Sequence, residues 1–232
     1  RMMSNQNEQP MPGCKVMSKD GFWNLIAEIK KACGQDQDKY MAMLKARLKE
    51  LGPECAQDFH NIVHAYEDLA YKYGLWSASE LMGLATDDSF IDFRAWLISQ
   101  GKEAYFSALK DPDSLADLDP GDGYWFEGFT YAGNYAMNEL IGGSAYAHTD
   151  RAAYDKMIEA LKGDIEYSEG INYPYECDEV ADYFPRLYER YLHGSGEFIY
   201  EGSWNYNLPE IQEARRSGPP PKPENTMEMG GM

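Results

Sequence analysis

A chain of 232 residues that is 44% hydrophobic and 14% aromatic can build one large folded domain and lacks the aromatic-poor signature of disorder. Its net charge is -18, and residues 117–232 alone carry 22 acidic and 8 basic residues. A field of that sign repels phosphate backbones and anionic membranes and favours cationic partners within a Debye length of about 8 Å, so neither nucleic acid nor membrane is expected as a partner.

Residues 1–17 read as a polar leader. Ser18 then has N-cap chemistry, and Phe22, Leu25, Ile26 and Ile29 recur at helical spacing until Gly34. Met41, Leu44, Leu48 and Leu51 predict a second amphipathic helix ending at Gly52, and Pro53 suits the first position of a third. That third helix carries Phe59, Ile62, Val63, Tyr66, Leu69 and Tyr73 towards Gly74. Ser77 and Glu80 match a capping box for a short fourth helix, and Thr86 or Asp87 can cap a fifth bearing Phe90, Phe93, Leu97 and Ile98.

A short helix is expected over 102–110, before Pro112. Beyond the turn-rich segment Asp119–Gly123, the residues Trp125, Phe129, Ala132, Ala136, Met137 and Leu140 share one helical face. Tyr154, Met157, Ile158 and Leu161 mark another helix. Val180, Tyr183, Leu187 and Tyr191 mark the last, which Pro185 should kink or divide. Strand alternation is rare, which makes the fold class all-α: a single multi-helix domain over 18–192 with a Gly/Pro-rich, irregular extension over 193–232.

Cys14, Cys33, Cys55 and Cys177 form no C-x-x-C pair, which predicts free thiols in a reducing cytosol. No basic-then-apolar leader and no apolar run of membrane length occurs, and the expected localisation is cytoplasmic. G-x-S-x-G, P-loop, G-x-G-x-x-G, H-E-x-x-H and EF-hand patterns are absent from the sequence, so no cofactor is expected.

Two groups of residues could still carry chemistry. His60, His64 and Glu67 fall at i, i+4 and i+7 on one helical arc, where two imidazoles and a carboxylate could hold a transition metal. The same arc adjoins the apolar stripe, where partly exposed surface side chains are the plainer reading. Asp87, Asp88, Arg94 and Trp96 form the second group. Helical phase puts Arg94 among Phe90, Leu97 and Ile98, and a buried guanidinium needs partners. Asp87 is the first carboxylate expected there, with Glu80 and Glu127 as further candidates. Removing the arginine would then strand a carboxylate at a cost of about 3–5 kcal/mol.

The run Leu75-Trp76, Asp87-Asp88-Ser89-Phe90, Phe93-Arg94-Ala95-Trp96-Leu97-Ile98-Ser99-Gln100-Gly101-Lys102-Glu103 and Ala108-Leu109-Lys110-Asp111-Pro112-Asp113-Ser114-Leu115-Ala116 resembles the bacterial domain-of-unknown-function family numbered 4240. Phe22-Trp23 resembles its opening, and Tyr183-Phe184-Pro185-Arg186-Leu187-Tyr188 its closing proline motif. The resemblance implies a helical protein, in a family whose members sometimes accompany a WGR module and are labelled molybdenum-metabolism regulators. It implies no established activity.

The functional expectation is a bacterial cytoplasmic, non-enzymatic protein-binding or regulatory domain, immunity-like in binding a basic protein partner. The alternative is an enzyme or small-ligand-binding domain using Asp87, Asp88 and Arg94, with His60 and His64. A cleft lined by Asp88, Arg94 and a histidine would favour the alternative, and a broad acidic aromatic face the former.

Overall fold

The computed structural model describes residues 9–84, 86–121, 123–169 and 180–193. Among the described residues there are ten α-helices, three short 3-10 turns and no strand. Helix α1 (Lys19–Cys33) starts where Ser18 accepts the Gly21 N–H, and stops at Gly34, whose positive φ lets its N–H turn back to the Lys30 carbonyl. Helix α2 (Gln37–Leu51) buries Tyr40, Leu44 and Leu48. Its stripe therefore runs through Tyr40 rather than Leu51, which is exposed.

Helix α3 (Pro53–Leu69) is the axis of the domain, packed against α2, α5 (Asp87–Ser99), α7 (Ala132–Ile141) and α8 (Arg151–Lys162). Phe59, Ile62, Val63 and Tyr66 are buried along it, and each such side chain contributes about 1.5–3 kcal/mol of transfer free energy. Phe22 and Trp23 of α1 stack against Phe59 and Tyr66. On the opposite side Gly133 of α7 lies so close that a Cβ would stand 2.7 Å from the Ala56 carbonyl and 2.8 Å from the His60 Cβ.

The third helix ends at Leu69, short of the expected Gly74. The turn after it is closed by Ala70 and Tyr71 N–H groups bonded back to the last carbonyls, and α4 (Tyr73–Leu81) begins immediately. Ser77 and Glu80 accordingly lie inside α4 and do not cap it. Thr86 caps α5 reciprocally with Ser89. Helix α6 (Lys102–Lys110) matches its expected range. Trp125 and Phe129 precede α7 instead of belonging to it, because Gly128 adopts a left-handed conformation that interrupts any helix there. Pro185 divides the last segment into α9 (Val180–Tyr183) and α10 (Pro185–His193).

Two buried carboxylates fasten the ends of the domain. Asp58 of α3 accepts the backbone N–H groups of Lys15, Val16 and Met17 at 2.7–3.0 Å, an anion nest built from successive amides. The stretch read as a polar leader is thus docked from Met11 onward, with Met11 and Met17 in the core. Asp113 accepts the N–H groups of Arg186 at 3.1 Å and Leu187 at 2.8 Å. It caps α10 from the 3-10 turn Pro112–Asp117, 73 residues earlier in the chain. Cys14, Cys33 and Cys55 are free thiols. Cys177 and the extension beyond His193 lie outside the described residues. Among the described residues no helix is long and apolar enough to cross a membrane.

Candidate functional site

Helix α3 carries His60, His64 and Glu67, and Arg94 of α5 meets it at Glu67. Arg94 on α5 is 6% exposed, as its phase requires. Its partners differ from those expected. Nη1 donates to the Glu67 backbone carbonyl at 2.8 Å and Nε to the Phe90 carbonyl at 3.2 Å, while the rings of Phe90 and Tyr71 lie 4.8 and 5.0 Å from the guanidinium carbon. Among the described residues no carboxylate reaches ion-pair distance of Arg94. Asp87 and Asp88 are exposed in the first turn of α5, and Glu80 is buried on α4. The cation is stabilised by the negative end of the α3 dipole and by the Glu67 carbonyl of its last turn. Burial pulls its pKa down, and Glu67, then Asp68, oppose that.

Three carbonyls of that last turn accept side chains from distant elements. The Tyr66 carbonyl receives the Tyr105 hydroxyl at 2.6 Å, the Glu67 carbonyl receives Arg94, and the Leu69 carbonyl receives the Tyr167 hydroxyl at 3.0 Å. Tyr154 adds a 2.7 Å bond to the Asp68 carboxylate. Trp96, expected as a binding residue, is core: it is fully buried, stacked on Phe93 and edge-on to Tyr124.

His60, His64 and Glu67 do come together, but not as a metal site. Among the described residues no group of three His, Cys, Asp or Glu side chains is placed to hold a metal ion. His64 has both ring nitrogens engaged, Nδ1 with Glu67 Oε2 at 3.5 Å and Nε2 with the Tyr146 hydroxyl at 3.4 Å. His60 is buried, its ring edge-on to His64 and Tyr146 at 4.4 and 4.5 Å. Burial, and secondarily His64, hold its pKa down near 3, so the ring is neutral.

Glu67 links the two groups that the sequence kept apart, by its carbonyl to Arg94 and by its carboxylate to His64. Around it is a face that the sequence reading did not assemble. Tyr131 and Tyr135, one turn apart at the start of α7, and Tyr146 in the 3-10 turn Ala145–His148 all expose their rings to about half their area. Half-buried Asp92 on α5 has Glu67 among its charged neighbours, as Tyr146 does. Burial, then Glu127, Glu67 and Asp88, push its pKa up. Leu140 and Ile141, at the far end of α7, are also exposed. The available signal was the small residues Ala132, Gly133 and Ala136: they mark the face of α7 that meets α3 and so send Tyr131 and Tyr135 outward.

A family model described as a protein of unknown function (DUF4240) matches residues 17–148, more than half of the chain. The chain belongs to this family. No curated protein and no solved structure matches it. The DUF4240 span includes α1 to α7 and ends at His148, so it contains Tyr131, Tyr135 and Tyr146, the Arg94–Glu67 contact and Asp58 itself, while Lys15 and Val16, which donate to Asp58, precede it. The Asp113 clamp joins that span to α10 beyond it. One further hollow, lined by Gln35–Asp38, Gly123 and Trp125, is open to solvent. Its amide side chains are already used, Gln35 on the Asp119 carbonyl and Gln37 on that of Trp125.

Proposed function

We propose that this DUF4240 protein is a non-enzymatic binding domain of the bacterial cytoplasm, regulatory or immunity-like, which engages a basic protein partner through the face formed by Tyr131, Tyr135, Tyr146, Asp92 and Glu127. The observation that carries this reading is the pairing of three exposed tyrosines with Asp92, whose pKa burial raises and whose neighbours Glu127, Glu67 and Asp88 raise further. Tyrosine gives rigid, amphipathic contact area at small entropic cost, and its ring faces attract cations. Clustered carboxylates speed the encounter with an opposite charge. The placement of Arg94 also speaks for binding over catalysis, since its guanidinium is spent on helix carbonyls inside the core and is not presented to a substrate.

The test uses octalysine and octaarginine as stand-ins for a basic segment, with titration calorimetry at rising ionic strength. Affinity should fall with salt. It should fall at least about fivefold in Asp92→Asn/Glu127→Gln and in Tyr131→Ala/Tyr135→Ala, and stay within about twofold in the control Asp38→Asn/Glu103→Gln. Equal losses in the face variant and the control would show that only bulk charge is at work and would overturn the reading.

A further inference from the structure

Two polar atoms beneath the tyrosine face are buried without a hydrogen-bond partner: Oε1 of Glu67 and Nδ1 of His60. Both residues are more than nine-tenths buried, at 7% and 2% exposure. Natural folds seldom leave such atoms unmet, because each keeps the desolvation cost without the bond that offsets it. Here the two lie on one face of α3 with His64 between them, and the half-exposed ring of Tyr146 covers the histidines at 4.5 and 5.5 Å. The Tyr146 hydroxyl meets His64 Nε2 at 3.4 Å, the long end of hydrogen bonding.

We propose that this is a pocket for the ammonium group of a lysine side chain, closed in the free protein by the Tyr146 ring, with Glu67 Oε1 and His60 Nδ1 as its acceptors. The inference rests on the basic-partner reading above and names the group that the face selects. An ammonium brings three donors and a compact charge. Glu67 supplies a carboxylate oxygen, the neutral His60 ring can supply a lone pair, and Tyr146, once swung aside, offers its ring face to the cation. Arginine is disfavoured for a geometric reason. Its planar fork needs two coplanar acceptors, and the second oxygen of Glu67 is already directed at His64 Nδ1.

The experiment compares octalysine, octaarginine and Nε-acetylated octalysine on the full chain. Glu67→Gln keeps the shape of the side chain, and its melting temperature serves as the folding control. In that variant octalysine affinity should drop at least about tenfold, and octaarginine affinity should stay within about twofold. In the wild-type protein the imidazole resonances of His60 and His64 should shift with octalysine and not with the acetylated peptide. Equal weakening of both peptides by Glu67→Gln, or imidazole signals that octalysine leaves unmoved, would overturn the pocket. The face reading survives either result provided that Asp92→Asn/Glu127→Gln still weakens binding. Failure of the wild-type protein to bind either peptide would overturn both.

Discussion

Glu80 is completely buried on α4, and neither carboxyl oxygen finds a hydrogen-bond partner. Burial pushes its pKa up to about 8, and the Trp76 indole one turn earlier opposes the shift without reaching hydrogen-bond geometry. The unfolded chain releases this proton near the ordinary value of 4.5, so between those two values the folded state holds the extra proton. Stability should therefore be full below about pH 4.5, decline as pH rises towards 8, and level off above it, at most about 1.4 kcal/mol per pH unit from this group. Glu80→Gln should remove that slope in urea melts at pH 5, 7 and 9, and an unchanged slope would assign it elsewhere. Arg94 makes a contrasting case. With no carboxylate to strand, Arg94→Met should cost about 1.5–3 kcal/mol, less than a broken buried ion pair, and Arg94→Lys should recover part of it by keeping a cation at the α3 terminus.

At the scale of elements, the ends of helices are where side chains from far along the chain do the fastening. Helix α10 starts with Pro185, which has no N–H to offer, and the next two amides are bound by Asp113. Asp113→Ala should lower stability by about 2 kcal/mol and make the peptide bonds around α10 the first cut in limited proteolysis, with Asp113→Asn intermediate. A wild-type cleavage pattern in Asp113→Ala would show that α10 is held by Phe184 and Leu187 packing instead. The helices themselves were legible in the sequence, since Ser18, Gly34, Pro53, Thr86 and Pro185 act locally and within one turn of the residues they control. The fastenings were not. Asp58 and Asp113 look like ordinary surface acids until the fold brings amides 42 and 73 residues away against them.

For the whole molecule, helical phase placed Arg94 correctly and named its partner wrongly. Periodicity reports which way a side chain points and says nothing of what a neighbouring helix presents there. The same limit hid the tyrosine face: Tyr146 reaches His64 across 82 positions, and only the small-residue side of α7 hinted at where Tyr131 and Tyr135 would go. Sequence did expose the acidity of the molecule, of which Glu127, Glu67 and Asp88 lie near Asp92. The two carboxylate fastenings also impose an order of assembly on a chain made from its N-terminus. The amides that Asp58 needs, those of residues 15–17, are already outside the ribosome when Asp58 emerges, so the first knot can tie at once. Asp113 must wait for Leu187, some 74 residues of synthesis later, its carboxylate hydrated in the meantime. The domain is thus fastened early at residues 15–17 and latched at α10 only some 74 residues after Asp113 has been made.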